Sequence, residues 1–373
     1  MPTPTRTEHA ITHLRSRLRE GRYHAAGQLP SEQALAKDLG VSRCIVRNAL
    51  GTLVREGLVQ RLPGMGCIPV TDTPTTRLVS DAVVVFGAPP TDPNSPSGYL
   101  DAVNAGAIAA AQSSGAVVLV MDLRTCTAER YQQLLLDRPA GVIVGPEIEM
   151  LDESVKFIHQ LAALGTSVVA SSDDPPWQPY DRVTDDQETG AYLLTRHLLD
   201  CGRRRIALMA PGLPTHAWWE ARQRGHARAL AEAGVACPSP LPSQPLVPRS
   251  GGRDPRNLEH RIRATVGWMA TPLAEADAPD AVIAVSDGDT FALLEAARVL
   301  GRPLAVAGFD HYWPSAWERE FVRLVPLATI DKDNPGIGHQ LVQVLAARRR
   351  TPNAPITHHL HVPRLIITPA SAT

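Results

Sequence analysis

Lysine is nearly missing from this sequence, because only Lys37, Lys156 and Lys332 are lysines among 37 Lys and Arg residues. No run of about 18 apolar residues occurs, which argues against a membrane-spanning helix. The five cysteines are scattered and lack CxxC spacing, so they are read as reduced thiols and not as a disulfide frame or zinc site. The first twenty residues have no apolar core of the secretory kind. We therefore expect a cytoplasmic protein without a metal or cofactor.

Charge is scarce overall but unevenly placed along the chain. The formal net charge is −1, yet residues 1–75 contain ten Lys/Arg and six Asp/Glu, a balance of +4, and the remainder carries −5. A basic head on an acidic body fits a polyanionic partner at the head. The length of 373 residues is enough for two or three domains with their own cores.

Three regions follow one another along the chain. Residues 1–70 have a helical pattern followed by a hairpin pattern, and residues 71–80, TDTPTTRLVS, have the polar composition of a linker. From residue 81 to residue 373, apolar runs of the β type alternate with helix-compatible segments, which predicts an α/β fold. Because the runs are too many for one small sheet, we expect two lobes of doubly wound parallel sheets. The runs are 82–86, 116–121, 141–145, 166–171, 205–210, 281–286 and 304–309.

A helix-turn-helix is predicted in the segment LPSEQALAKDLGVSRCIVRNAL. Ser31 is placed to cap a first helix, which Gly40 ends, and Ser42 is placed to cap a second. On the second helix, spacing of i, i+3, i+4 and i+7 predicts a buried stripe, formed by Val46, Ala49, Leu50 and Leu53. Arg43 and Arg47 fall on another arc, near Asn48.

A short hairpin is predicted after Gly57, in LVQRLPGMGCIPV. Two extended pieces flank the turn at residues 63–66, whose glycines can adopt positive φ. Pro69 confines its strand to the edge of a sheet. The hairpin is therefore the wing of a winged helix-turn-helix.

Residues 6–70 resemble the winged helix of GntR-type transcription regulators. The resemblance implies that the second helix enters the major groove of double-stranded operator DNA, where Arg43 and Arg47 meet base edges or phosphates. The planar donor fork of arginine independently suits guanine or phosphate acceptors. The resemblance also implies phosphate contacts from Ser31 and Ser42. The predicted DNA-contacting set is Ser31, Gln33, Ser42, Arg43, Arg47, Asn48, Gly64 and Gly66.

This region departs from the family pattern at several positions. Gln33 stands where an arginine is common, Met65 replaces the usual arginine of the wing tip, and Cys44 and Ile45 replace threonines. Contact of the wing with the minor groove is therefore left open, and the preferred operator can differ from the family norm.

Residues 81–373 resemble the effector-binding part of LacI/GalR-type regulators, which has a periplasmic-binding-protein-like fold. The stretches that carry the resemblance include VTDDQETGAYLLTRHLLDCGRRRIALMAPG, PDAVIAVSDGDTFALLEAARVLG and VAGFD. The resemblance implies two lobes with a small-molecule effector between them, a sugar by default, and a homodimer. It also implies chain crossings between the lobes near residues 175, 310 and 350.

The resemblance assigns effector contacts one residue at a time. Arg222 matches an arginine that reaches polar groups of the effector, and Asp310 matches an aspartate at a strand end. Tyr99 occupies the position of an aromatic residue in the first lobe. Such strand ends are where open α/β sheets place ligands. The predicted set is Tyr99, Ser172, Asp173, Arg222, Ser286, Asp287 and Asp310.

Together these patterns predict a ligand-responsive regulator of transcription, with repression as the favoured outcome and no catalytic residues. An enzyme is the first rival class, but the sequence has no Gly-rich phosphate loop, no GxSxG elbow and no metal-ligand array. The sequence also leaves open a small-molecule-binding protein and an architectural DNA binder.

Overall fold

The computed structural model divides by its contacts into two compact units, Met1–Leu78 and Val79–Thr373. The predicted linker at residues 71–80 is outside the described part, so its bounds and those of the domains beside it stay predictions. The described residues are 6–19, 23, 28–56, 58–62, 66–69, 82–87, 98–122, 126–146, 152–211, 216–241 and 254–369.

The first unit is a winged helix-turn-helix. It contains helices α1 (Arg6–Arg19), α2 (Glu32–Leu39) and α3 (Arg43–Arg55), followed by strands β1 (Val59–Leu62) and β2 (Gly66–Pro69), which pair antiparallel. The helix caps are as predicted, because the hydroxyls of Ser31 and Ser42 accept backbone hydrogen bonds and Gly40 adopts φ 62°. Leu14 and Leu18 of α1 pack with the buried stripe of α3 to form the core.

The first lobe of the body is built on a six-stranded parallel sheet with the order β12-β7-β6-β5-β3-β4. Strand β12 (His358–His361) and helix α11 (Asn334–Arg350) reach this lobe from later in the chain. Two pairs of helices cover the sheet, α4 and α11 on one face, α5 and α6 on the other. The elements up to the first crossing are β3 (Val83–Phe86), α4 (Gly98–Ser113), β4 (Val118–Met121), α5 (Ala128–Asp137), β5 (Gly141–Val144), α6 (Asp152–Ala163), β6 (Ser167–Ala170) and β7 (Asp181–Asp185).

The second lobe is built on a five-stranded sheet with the order β13-β11-β10-β9-β8, in which β13 alone runs antiparallel. Helices α7 and α8 cover one face and α9 and α10 the other. The elements are α7 (Gln187–Asp200), β8 (Ile206–Leu208), α8 (Ala217–Glu232), α9 (Pro255–Ala274), β9 (Ala281–Ile283), α10 (Asp287–Val299), β10 (Ala305–Phe309), β11 (Ala328–Asp331), α11 (Asn334–Arg350), β12 (His358–His361) and β13 (Arg364–Ile367), of which α11 and β12 return to the first lobe.

The fold class expected from the sequence is confirmed, and each of the seven predicted apolar runs contains a strand. The predicted positions of the chain crossings between the lobes are wrong. The chain changes sheets at residue 186, at 332–333 and at 362–363, and not near 175, 310 and 350. The reason is that β7, β11 and β12 each add a strand to the lobe that the chain is about to leave.

Candidate DNA-reading face and interlobe site

The exposed arc of α3 carries the side chains predicted to read DNA. Val46, Ala49, Leu50 and Leu53 are at most 1% exposed, so the rotation of the helix about its axis is fixed by the core. This rotation leaves Arg43, Cys44, Arg47 and Asn48 exposed to solvent. A short helix with two guanidinium groups and an amide on its free arc has the donor chemistry that base edges and phosphates accept.

Arg47 is not an isolated cation, because Glu32 of α2 lies beside it. The Arg47 Nη2 atom lies 2.9 Å from Glu32 Oε2, and Arg61 of the wing lies 3.3 Å from Glu32 Oε1. The hydrogen bonds from Arg47 lower the pKa of the Glu32 carboxyl. Glu32 thereby links α2, α3 and the wing, and a DNA phosphate that approaches Arg47 has to compete with this carboxylate.

Three further residues of the predicted DNA-contacting set lie at the starts of α2 and α3. Ser31 Oγ accepts a hydrogen bond from Ala34 N at 3.2 Å and Ser42 Oγ one from Ile45 N at 3.3 Å, so both hydroxyls are used as helix caps. Gln33 is exposed in the first turn of α2. Gly66 has φ 80°, which favours glycine, whereas Gly64 is outside the described residues.

Arg222 of α8 is the best-defined member of the predicted effector set. Its side chain is buried, with Nε 2.6 Å from Gln187 Oε1 and Nη1 2.6 Å from the carbonyl oxygen of Val285. The guanidinium carbon lies 3.5 Å from the centre of the Phe309 ring and 4.7 Å from that of Trp218. The rings and the two acceptors therefore hold a desolvated cation in one orientation at the strand ends of the second lobe.

A buried group of opposite charges adjoins Arg222. Lys332 Nζ lies 2.6 Å from Asp310 Oδ1, and both side chains are buried. Burial raises the pKa of Asp185, which ends β7, while the nearby charges of Lys332 and Arg222 act in the opposite direction. Asp310 has φ 95° and His311 has φ 50°, so two consecutive non-glycine residues are strained where β10 ends.

Asp287 is fully buried and serves the second lobe itself. Its carboxylate accepts hydrogen bonds from Thr329 Oγ1 at 2.7 Å, Tyr312 N at 2.8 Å and Trp313 N at 3.2 Å. Burial raises the pKa of Asp287 to about 8, although these hydrogen bonds oppose the rise. Asp287 thus anchors the strained turn after β10, and its neighbour Ser286 donates to Asp289 at 3.0 Å.

Ser172 and Asp173 have partners on the first lobe. Ser172 Oγ accepts a hydrogen bond from Asp174 N at 3.1 Å. Asp173 lies 3.2 Å from Arg182 Nε and 3.1 Å from His358 Nε2, so its carboxylate joins β7 and β12. Tyr99 lies in the first turn of α4, where the side chains are outside the described part. The structure therefore brings together Arg222, Ser286, Asp287 and Asp310, whereas Ser172 and Asp173 belong to a separate network.

Sequence reasoning missed a contact between the lobes. Asp174 lies between β6 and β7 of the first lobe, and it accepts hydrogen bonds from Ala217 N at 2.9 Å and His216 Nδ1 at 3.0 Å at the start of α8 in the second. A carboxylate at a helix N-terminus is favoured by the helix dipole. The interlobe site also includes Trp218, one of two adjacent tryptophans of which the sequence predicts that one packs and the other lines the cleft. It further includes Asp185, Gln187 and Lys332, which the sequence pattern does not assign to it. Their only signal in the sequence is their position at strand or helix ends.

The described residues hold no group of three potential ligands that could bind a metal ion. His358, the first residue of β12, contacts Asp173 and Thr184, at 3.1 and 2.8 Å. Within the same part of the chain, no helix combines the length and the apolar character that crossing a membrane requires.

Two protein families match separate parts of the chain. Residues 6–68 match the bacterial regulatory proteins of the gntR family, and residues 195–368 match a periplasmic-binding-protein-like domain. The first match covers nearly all of the winged helix-turn-helix, and the second covers the second lobe from the middle of α7 together with the segment that returns to the first lobe.

Curated relatives are similar over part of their length. The HTH-type transcriptional regulator DegA of Bacillus subtilis is 28% identical over 176 residues, which are 46% of this chain and 47% of that protein. The HTH-type transcriptional repressor NagR of Bacillus subtilis is 43% identical over 53 residues, 14% of this chain and 22% of that protein. The chain thus spans about half or less of the curated relatives that it matches.

Solved structures share the fold at low identity. A complex of the transcriptional regulator CelR with cellobiose covers 91% of this chain and 99% of its own, at 16% identity and a TM-score of 0.59. A LacI-family regulator of Enterococcus faecium with bound ribose covers 76% of this chain and 96% of its own, at 17% identity and a TM-score of 0.58. The chain therefore joins a winged helix-turn-helix that matches the gntR family to a periplasmic-binding-protein-like body with the fold seen in LacI-family regulators.

Proposed function

We propose that this protein is a cytoplasmic transcription regulator that binds operator DNA through α3 and a small molecule between the lobes of its body. The observation that carries the proposal is the free arc of α3, where Arg43, Arg47 and Asn48 face solvent on a helix whose opposite side is locked in a core. Repression is the favoured outcome, and NagR, which is similar over 53 residues, is named a repressor.

The effector is proposed to be a small polar molecule, with a sugar as the first candidate. Arg222 supplies cationic donors beside aromatic rings, and the Asp310–Lys332 pair supplies a carboxylate and an ammonium within the same group. Such a mixture of ring faces and fixed polar groups suits a hydroxylated ligand. Two structures with this fold hold ribose and cellobiose, which makes these sugars the first to test.

Regulation follows from differential binding. A ligand that contacts both lobes favours one arrangement of them, and it can shift DNA affinity only by its difference in affinity for the two arrangements. Couplings of this kind are typically about 1–3 kcal/mol, or roughly 5- to 150-fold in affinity. A homodimer would present two copies of α3 to a palindromic operator.

The test begins with DNA. Fragments of genomic DNA retained by the purified protein are sequenced, and the affinity of a retained site is measured for R43A/R47A and for R55A, a control on the same helix. We expect the double variant to lose its preference for the site by tenfold or more while R55A keeps it, because Arg55 donates to Thr52 in the last turn. Equal affinities of the two variants would contradict the proposed reading helix.

The second arm concerns the effector. A ligand that binds only the folded protein stabilises it by RT ln(1 + [L]/Kd) and so raises its melting temperature as the ligand concentration rises above Kd. Ribose, cellobiose and other sugars are therefore compared with buffer. We expect a stabilising sugar to lose its effect in R222A while DNA binding persists. Turnover of a sugar without DNA binding would favour an enzyme instead.

A further inference from the structure

Glu32, in the first turn of α2, holds two arginines of the first unit. Its carboxylate accepts hydrogen bonds from Arg47 Nε at 3.1 Å and from Arg47 Nη2 at 2.9 Å, and a third from Arg61 Nη2 of the wing at 3.3 Å. The Glu32 side chain is 23% exposed, whereas those of Arg47 and Arg61 are 60% and 51% exposed. The carboxylate is therefore more enclosed than the two guanidinium groups that it joins.

The contact with Glu32 uses one edge of the Arg47 guanidinium. This group has five N–H donors in one plane, and the carboxylate takes the edge formed by Nε and Nη2. Nη1 of Arg47 has no hydrogen-bond partner within the part of the chain that the structure describes. Nη1 and the second N–H of Nη2 therefore form a free edge with two parallel donors. Such an edge matches O6 and N7 of guanine, as well as two phosphate oxygens.

Arg43, one turn earlier on α3, is not held in this way. Its side chain is exposed, and no described residue forms a hydrogen bond or ion pair with it. A flexible arginine can follow the phosphates of any duplex, whereas an arginine that is already held presents its donors in one orientation. Because a planar fork in a fixed orientation suits bidentate pairing with a base, the two arginines of α3 are suited to different partners.

Helix stability explains only part of the placement of Glu32. An acidic residue in the first turn of a helix is favoured by the helix dipole, whatever its side chain contacts. Ion pairs between exposed side chains add little to the stability of a protein. Neither effect requires one carboxylate to join an arginine of α3 to an arginine of the wing, and to leave the same edge of the Arg47 fork free.

We propose that Glu32 is a positioning residue for sequence discrimination, which fixes Arg47 so that its free edge reads a guanine in the major groove. Arg43 binds a phosphate instead. The inference rests on the proposed function and assigns separate tasks to the two arginines of α3. The same carboxylate lowers the affinity for other DNA, because a phosphate has to displace it before it can pair with the held edge of Arg47 or with Arg61.

The test measures the affinity of the full chain for a retained DNA site and for every single-base change of that site. We expect R47A to lose its preference at one G·C pair by about tenfold or more, because the bidentate pairing is removed. E32Q should lose its preference at the same pair, since an amide group presents N–H donors to a guanidinium that needs an acceptor. R43A should keep every base preference and reduce the magnitude of the slope of log K against log salt by about 0.9.

The matched control is E56Q. Glu56 pairs with Arg15 of α1 at 2.7 Å and is 35% exposed at its side chain, so E56Q removes the same charge and releases an arginine of the same unit. Glu56 lies nine residues after Arg47, about 14 Å farther along the helix axis. We expect E56Q to keep the preference at the G·C pair that E32Q loses. The melting temperatures of both variants verify that they fold.

A double variant shows whether Glu32 acts through Arg47. If it does, E32Q/R47A should discriminate at the G·C pair as poorly as R47A alone, because no guanidinium is left to position. A further loss in the double variant would contradict the positioning role and would indicate that Glu32 contacts DNA itself.

The outcomes separate the two proposals. If the wild-type protein prefers no DNA sequence, the proposed function fails and the positioning role fails with it. If the wild type has a preference and E32Q loses no more of it than E56Q does, only the role of Glu32 is wrong. Loss of preference by R47A at an A·T pair, or at no pair, would overturn the assignment of guanine to Arg47.

Discussion

The packing of α7 against α8 makes a sharp prediction at Gly225. A Cβ atom placed there would lie 1.9 Å from the carbonyl oxygen of Glu188 and 3.1 Å from Tyr192 N, where ordinary contacts begin at 3.4 Å. The two helices would have to separate by about 1.5 Å to admit it. Since both packing partners are backbone atoms, no side chain can turn aside, and G225A must move one helix.

The expected change in the stability of G225A combines two contributions of opposite sign. Overpacking of this kind typically costs about 1–3 kcal/mol, and the better helix propensity of alanine offsets about 0.5–1 kcal/mol of it. Gly267 is the matched control, because it lies within α9 with no atom inside 4 Å of the added Cβ. G267A should therefore be slightly stabilising. At about 2–4 °C per kcal/mol, G225A should melt several degrees below wild type and G267A at or above it.

The assay is thermal unfolding of both variants under identical conditions, followed by the sugar panel. Arg222 lies one turn before Gly225, and its Nε atom is held by Gln187 on α7 at 2.6 Å. Separation of the helices should break this hydrogen bond, so G225A should also lose stabilisation by an effector that G267A retains. If G225A melts with or above G267A, the described contact between α7 and α8 is wrong.

Two further predictions concern the body. D174A removes the carboxylate that the first lobe offers to the start of α8. Because loss of a helix cap costs about 0.5–2 kcal/mol, the response to ligand should change roughly 2- to 30-fold. D254A removes a cap within the second lobe, and an equal change in its ligand response would refute the interlobe role. His226 is buried, and burial lowers its pKa to about 4. Because the unfolded chain binds the proton more readily, between pH 7 and pH 5 the folded protein should lose about 2 kcal/mol of stability. H226Q should reduce this loss in melting experiments at the two pH values, whereas H260Q, on the exposed face of α9, should not.

The first unit could be predicted almost completely from sequence because its signals are local. The caps at Ser31 and Ser42, the positive φ of Gly40 and the stripe on α3 depend on residues within two turns of one another. The same reasoning predicted which arc of α3 faces solvent. It could not predict the pairing of Arg47 with Glu32, since that contact depends on how α2 and α3 pack.

The sequence predicted the fold of the body, but it did not predict the strands that are rich in polar residues. Strand β7 reads DRVTD and begins with a buried charge, because Asp181 is paired with Arg348, which is 167 residues away. Burial acts to raise the pKa of Asp181, and the hydrogen bonds from Arg348 and Thr357 lower it overall. A buried charged residue whose partner is far away in the sequence cannot be told apart from a loop residue by sequence pattern alone. For the same reason, the contact of Asp174 with α8 and the Asp310–Lys332 pair emerged only from the structure.

The return of α11 and β12 to the first lobe has a consequence for biosynthesis. The ribosome delivers β3 to β7 first, but one of the two helices that cover one face of their sheet, and the strand at its edge, come from residues 334–361. The strands β8 to β11 of the second lobe are all made before those residues emerge. During translation the earlier lobe therefore keeps the part of this sheet face that α11 covers exposed, while the strands of the later lobe are synthesised.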